Sequence, residues 1–339
     1  MYSIEELAKY ISLESIPSSW INCYEDIKNQ YKSNWLDNYD FDFILTYYEF
    51  DDSFKERFYE EINVLKQDNK LNLVCFIMYY ILFFADKSNY YNIWSWRSTN
   101  KVFKNNGSYM IPVVSLLCGY EFHLKTIKTR NFDPEQIELQ KHNIRLTCTN
   151  DRINYGLDGI RFSQMIWGSF FMKGSLIQIG RLQYEVGVNN FTKLDKYFDE
   201  KYQYIYIHIP KGSDLNEKDV DKSICSVQEY IKKYYPELKN EKLAYYTQSW
   251  LLSPEVREIL PASSNILKFQ NRFNIIEYEE NDYDFLNFVF NSGIEKVDYI
   301  DLPETTTLQR KLRAKLLNGD KLHLGLGILK TSEISSKKD

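Results

Sequence analysis

The chain is 339 residues long, 44% apolar and 26% charged, the profile of a folded protein with room for two domains. Its net charge of −5 lacks the electrostatic footprint of a general nucleic-acid binder. Five cysteines (Cys23, Cys75, Cys118, Cys148, Cys225) stand dispersed with no Cys-x-x-Cys pair, which argues against a disulfide framework and a zinc site and for a reducing compartment.

The start, Met1-Tyr-Ser-Ile-Glu-Glu, is polar and acidic and does not read as a signal peptide, so a cytoplasmic location is expected. Asp51 to Gln67 spaces Phe54, Phe58, Ile62 and Leu65 by four and three, which predicts a surface helix with one buried stripe. Leu71 to Ala85 is the longest apolar run. It is short for a bilayer span and reads as a helix at the centre of a bundle, with no membrane involved. Cys75 on that run, and Cys225 later, are expected as small core residues. Asn100 to Ser108 is a polar loop, Ile111 to Leu117 an apolar helix with Pro112 in its first turn, and Asp133-Pro134-Glu135 a helix start with Asp as cap. Aromatic residues make up 16% of the chain, with 28 Tyr and 21 Phe. An AT-rich coding sequence explains this blandly; an aromatic-lined pocket is the alternative.

The character changes after His142. Arg145 to Thr149 alternates, and glycine becomes frequent. Strand signals follow at Ser175 to Val188, Tyr204 to Ile209, Leu243 to Leu252, Ile266 to Tyr278 and Lys321 to Leu329. Helical stretches separate them at Asn216 to Tyr235, Pro254 to Leu260, Asp282 to Asn291 and Thr306 to Asn318. The expected fold is α+β: a helical domain over 1–145, a mixed α/β domain over 146–330, and a disordered Lys/Ser-rich tail over 331–339. No internal repeat is evident.

The chemistry-bearing residues cluster in the second half. The strand ending at Ile209 breaks at Pro210-Lys211-Gly212-Ser213 and feeds a helix whose buried face is Val220, Ile224, Val227, Ile231 and Tyr234. Proline removes a ladder donor, so the neighbouring strand can diverge just past Ile209. Glycine lets a ligand approach the backbone, and the amides of a helix start attract an anion such as pyrophosphate. Asp214, Glu217 and Asp219 oppose this, while Lys211, Lys218 and Lys222 offset them; an ordinary turn capped by Asp214 or Asn216 is the plain alternative.

His208 shares a strand face with Tyr204 and Tyr206, and an imidazole beside the cofactor loop could carry a proton; a satisfied structural histidine is the alternative. Arg181, Gln183 and Glu185 are expected on one face of a strand running Gln178 to Glu185, facing either solvent or a polar cleft. Glu185 is a candidate base or ammonium-binding carboxylate. Ser249-Trp250 ends a strand at the same sheet edge, without a Gly-x-Ser-x-Gly elbow, so a hydrolase nucleophile is not indicated. Thr305 to Asn318 places Leu308, Leu312 and Leu316 inward and Arg310, Lys311, Arg313 and Lys315 outward, stopping at Gly319. That basic side is read as a solvated face or, alternatively, a docking patch for a CoA phosphate. No nucleotide-binding glycine motif occurs, and the four histidines show no metal-ligand spacing, so no metal is expected.

Five segments occur in a telling order: Gly180-Arg-Leu-Gln-Tyr-Glu185, His208-Ile-Pro-Lys-Gly212, Ser249-Trp-Leu-Leu252, Ser264-Asn-Ile-Leu-Lys-Phe269 and Leu302-Pro-Glu-Thr-Thr-Thr-Leu-Gln-Arg310. In this series the chain resembles bacterial two-domain acyltransferases with a helical N-terminal domain and a C-terminal domain similar to the GNAT N-acetyltransferases. The resemblance implies acetyl-CoA or another acyl-CoA as co-substrate, held in a V-shaped opening beside the strand that carries Ile207 and Ile209. It places the pyrophosphate on the following loop, here Pro210 to Leu215 in place of the usual Arg/Gln-x-x-Gly-x-Gly/Ala. It implies direct attack by a primary amine of a small molecule or peptide, with the helical domain shaping the acceptor site. His208 or Glu185 takes the base role, and Ser249 or Tyr246 the acid role. Arg181, Gln183 and Trp250 are the expected acceptor contacts. The competing reading is a non-catalytic module of the same fold that binds CoA, a peptide or a protein. The sequence sets no oligomeric state.

Overall fold

The computed structural model describes residues 2–85, 102–187, 192–212, 214–292 and 297–330. The tail at 331–339, the first residues of the polar loop at 100–101, Val188 and Ser213 lie outside the described residues. The chain forms two units, Met1–Gly174 and Ser175–Asp339.

The first unit is helical: α1 (Ile4–Tyr10), α2 (Ser18–Gln30), α3 (Phe41–Tyr47), α4 (Asp52–Gln67), α5 (Asn69–Phe83), α6 (Met110–Leu117), α7 (Tyr120–Arg130), α8 (Pro134–Tyr155) and α9 (Phe162–Met172). The α4 stripe is as expected: Phe54, Phe58, Ile62 and Leu65 are all buried. In α5, residues 71–78 are buried all round, which suits the middle of a bundle. The one amide in that stretch, Asn72, is fully employed. Its Oδ1 accepts from Tyr31 Oη and Trp35 Nε1, both at 2.9 Å, and its Nδ2 donates to the Leu65 carbonyl at 3.0 Å.

The boundary expected near residue 145 falls inside α8, and the units divide after Gly174. Asp133 caps the start of α8, accepting from Gln136 N at 2.9 Å, and Gly156 ends it with φ +66°. The alternation at Arg145–Thr149 is therefore a helical stripe: Ile144, Thr147, Cys148 and Asp151 are the buried positions, at spacings of three and four.

The second unit holds one six-stranded sheet. Its strands are β1 (Leu176–Ile179), β2 (Leu182–Glu185), β3 (Gln203–His208), β4 (Leu243–Ser249), β5 (Phe273–Glu280) and β6 (His323–Leu329), in the order β1-β2-β3-β4-β6-β5. All neighbours pair antiparallel except β3 and β4, which run parallel. Between β3 and β4 the chain makes α10 (Glu217–Tyr234), as a parallel pair requires a crossover. The remaining helices are α11 (Pro254–Ile259), α12 (Asn265–Gln270), α13 (Asp282–Phe288) and α14 (Thr307–Leu317).

The buried stripe of α10 is Val220, Ile224, Val227, Ile231 and Tyr234, as its spacing predicts, with Ser223 added. The Ser223 hydroxyl pairs with Tyr184 Oη at 2.9 Å and donates to the Ile179 carbonyl, tying the helix to the first hairpin. Cys225 is exposed, because it lies one position, about 100°, past Ile224 on the helix. A second cluster joins Leu194, from the 3-10 segment Thr192–Tyr197, to Tyr204, Ala244, Tyr246 and Leu326 on β3, β4 and β6. Two expected strands resolve differently. Gln178 to Glu185 is a hairpin, with Gly180 (φ +58°) and Arg181 as its two-residue turn. Ile266 lies in the first turn of α12, which Ser264 caps by accepting from Ile266 N at 3.2 Å; the strand starts at Phe273.

His123, in α7, is fully buried, and its Nδ1 meets Tyr48 Oη at 2.8 Å. Its Nε2 has no hydrogen-bond partner among the described residues. Burial, helped by the charge of Lys141, lowers its pKa from 6.5 to about 3. The unfolded chain therefore binds a proton that the folded chain refuses between those values, so stability falls as pH drops from about 6.5 towards 3. This one group is expected to remove on the order of 5 kcal/mol across that window. Melting temperature measured against pH checks this: His123→Asn flattens the acid limb, and an unchanged acid limb contradicts it.

Candidate functional site

The parallel pair is in register from Gln203↔Leu243 to Tyr206↔Tyr246, and there it stops. Both strands continue, each with its outer neighbour. β3 stays on β2 through Tyr184↔Ile207 and Gln183↔His208, and β4 stays on β6 through Thr247↔Gly327, Gln248↔Leu326 and Ser249↔Gly325. The sheet therefore opens between two adjacent parallel strands, earlier than the point past Ile209 that the sequence suggests. Glycine at 325 keeps β4 on the β6 side: a Cβ there would lie 2.5 Å from the Leu252 carbonyl oxygen, in the 3-10 turn Trp250–Leu252.

On one face at this opening stand His208, Tyr206, Tyr246 and Glu185. His208 Nε2 lies 2.8 Å from Glu185 Oε2. The Glu185 side chain is buried (6% exposed), and that of His208 reaches solvent (17%). A carboxylate that is ionised only accepts, and in that state Nε2 is the donor of this bond. Three rings stack in a row: His208 on Tyr206 at 4.0 Å, and Tyr206 on Tyr246 at 4.7 Å. The Tyr206 hydroxyl donates to the Gln248 carbonyl at 3.0 Å, across the opening. Gln183 is buried behind this group, and its amide donates to Gln178 Oε1 at 3.3 Å.

Other expected members fall elsewhere. Arg181 sits in the hairpin turn instead of sharing the face of Gln183 and Glu185, and pairs with Asp219 at 3.6 Å. Ser249 alternates onto the face opposite Tyr246, and its Oγ accepts from Leu251 N at 3.2 Å, capping the 3-10 turn. Trp250 packs on Phe285 at 6.1 Å within a separate apolar cluster. Ile207 is buried, facing α10, and Ile209 directly follows the strand.

The loop after β3 is open. Lys211 and Gly212 are exposed, Gly212 adopts φ +76°, and nothing lies within 4 Å of where its Cβ would be. Asn216 caps α10 by accepting from Lys218 N at 3.0 Å. The acids of the first turns, which would repel an anion, each have a counterion from elsewhere in the unit. Glu217 meets Lys268 at 3.0 Å, Asp219 meets Arg181, and Asp221 meets Arg272 at 2.6 Å. The Lys268 hydrogen bond and charge, acting first, hold the Glu217 pKa below its ordinary value. The basic side of α14 is also partly engaged: Arg313 with Glu304, and Lys315 with Glu258 at 3.0 Å.

Sequence reasoning missed Tyr206 as a site member and the three counterions of α10. The strand alternation Tyr204, Tyr206, His208 carries the first; nothing local carries the others. Among the described residues no group of three or more His, Cys, Asp or Glu is placed to hold a metal. No helix there is long and apolar enough to cross a membrane. A cavity of about 390 Å³ lies in the first unit, lined by residues including Phe50, Phe54, Arg57, Arg145 and Arg152, and by none of the candidate catalytic or binding residues.

Residues 176–329 match the family described as GNAT-like C-terminal domain, so the second unit is a GNAT-like domain. No curated protein matches the chain. Among solved structures, an acyltransferase in complex with decanoyl-CoA has 18% identity and a TM-score of 0.70, over 97% of this chain and 99% of that one. A mutant acyltransferase in complex with octanoyl-CoA has 17% identity and a TM-score of 0.70, over 96% and 98%. An acyltransferase in complex with decanoyl-CoA and teicoplanin has 17% identity and a TM-score of 0.66, over 96% and 98%. At these identities the likeness is one of fold.

The His208–Glu185 pair is open to a direct check by imidazole nitrogen NMR. A protonated Nε2 is expected in the wild type and a tautomer mixture in Glu185→Ala. A wild-type Nε2 resonance in the unprotonated range contradicts the assignment.

Proposed function

We propose that this protein is an acyl-CoA-dependent N-acyltransferase that works by direct transfer to an amine. The observation that carries the proposal is the sheet opening past Tyr206↔Tyr246, with a histidine–carboxylate pair beside it and an open loop at its end. The GNAT-like domain and the acyl-CoA ligands of similarly folded acyltransferases support the same reading.

The donor thioester enters the opening, beside Ile207 and Ile209. The amides of Lys211, Gly212 and Leu215 and the Lys211 ammonium meet the pyrophosphate, at a helix start where Glu217, Asp219 and Asp221 are already paired. His208 takes a proton from the acceptor ammonium through Nδ1, while Glu185 accepts from Nε2 and fixes the ring; Glu185 thus acts as a positioning residue. The amine nitrogen bonds to the thioester carbonyl carbon and gives up its second proton to solvent, the carbon–sulfur bond breaks, and the sulfur leaves as thiolate. Tyr246 is the proposed proton donor to that sulfur, since it shares the face of His208 and Ser249 does not. The chain need form no covalent bond; orientation supplies most of the acceleration.

Acetyl-CoA is the smallest donor to test. Similarly folded acyltransferases hold octanoyl and decanoyl chains, so longer donors belong in the same series. The acceptor is a small molecule or peptide with a primary amine. One of the similar structures holds a glycopeptide, so a peptide antibiotic belongs in the amine panel.

Titration calorimetry with acetyl-, octanoyl- and decanoyl-CoA, followed by thiol release against that panel, tests the proposal. Micromolar to millimolar binding and amine-dependent thiol release are expected. His208→Ala should lower kcat by roughly 10²–10⁴ with little change in donor affinity. No binding of any donor at millimolar concentration rejects the proposal; binding without turnover on any amine favours a non-catalytic module instead.

A further inference from the structure

We infer that Tyr206 gates the opening: its hydroxyl holds the Gln248 carbonyl shut against the donor and must be displaced for an acyl thioester to enter. The inference rests on the acyl-CoA reading above and adds a residue that controls donor access at that same site. Beyond Tyr206↔Tyr246 no ladder joins β3 to β4, yet the two strands are not unlinked. The phenol of Tyr206 crosses from β3 and donates to a backbone oxygen two residues further along β4, at 3.0 Å. Its ring is held between His208 at 4.0 Å and Tyr246 at 4.7 Å, so the hydroxyl is aimed by stacking on both sides. The acceptor is held as well. Gln248 pairs with Leu326 of β6, and its side-chain amide donates to Glu279 Oε2 at 2.7 Å.

The pantetheine arm of any acyl-CoA carries two secondary amides, and a chain lying between two strands needs strand carbonyls for its N–H groups. The Gln248 carbonyl is one such acceptor at the mouth of the opening, and the Tyr206 phenol lies on it, across the path of the arm. Entry of the arm exchanges one hydrogen bond for another, so the free protein is stabilised relative to the complex by roughly the worth of that bond. The ring then serves a separate purpose: with the hydroxyl removed, the stack that lines the face beside His208 remains.

Tyr206→Phe makes that separation. It keeps the ring between His208 and Tyr246 and removes only the donor. Calorimetry with octanoyl-CoA is expected to give a dissociation constant about 5-fold lower than the wild type, the effect of one neutral hydrogen bond. In steady state the donor KM falls. A wild-type or weaker affinity in Tyr206→Phe overturns the gate while leaving the acyl-CoA reading intact; no binding by the wild type itself removes both. The wild type gives a second readout that needs no variant. The Gln248 carbonyl carbon resonance is expected to shift when octanoyl-CoA is added, and a carbonyl resonance that stays put in the saturated protein overturns the gate.

Discussion

The second unit depends on where one parallel ladder ends. β3 and β4 are the only parallel neighbours among the described strands, and each stays paired to its antiparallel partner past the point where their shared ladder stops. β2 holds β3 through His208, and β6 holds β4 through Ser249. Strands twist relative to one another, so two neighbours committed to opposite sides separate once their shared ladder stops. Pro210 prevents β3 from donating further, and Gly325 lets the turn after β4 sit directly against β6. The fork is thus a consequence of competing pairings and needs no ligand to hold it.

Polar groups placed beside that fork are satisfied in ways that leave chemistry available. A buried glutamate requires a partner, and Glu185 has His208. The partner in turn is a ring that reaches solvent. At the far end, an acidic helix start looks hostile to phosphate until its counterions are seen. Lys268, Arg181 and Arg272 come from α12, the first hairpin turn and the residue before β5, so three distant segments neutralise one turn of α10. Exposed pairs of this kind contribute little to stability, and their effect here is on the local field.

Much of the architecture was legible because periodicity reports burial. The α10 stripe and the α4 stripe were read residue by residue, and the Asp133 cap was read from Asp-Pro alone. A short alternation misleads in two places. Arg145–Thr149 is part of a 22-residue helix, and Gln178–Glu185 folds back at Gly180-Arg181, which moves Arg181 off the site. The site itself was half legible. His208 and Glu185 were named separately, and only register between β2 and β3 makes them partners. Ser249 was placed by its distance along the strand, whereas its side follows from the parity it shares with Thr247 rather than Tyr246. The bridge from Tyr206 to Gln248 had no signal in the chain, since it spans 42 residues and depends on the ladder having ended.

The fork as a donor slot is tested most directly by a crystal structure of the protein with octanoyl-CoA. The account predicts the thioester between β3 and β4 beyond Tyr206 and Tyr246, the pyrophosphate at the loop from Pro210 to Leu215, and the Tyr206 hydroxyl parted from Gln248. Density for the donor at any other place, with β3 and β4 unchanged, would contradict it.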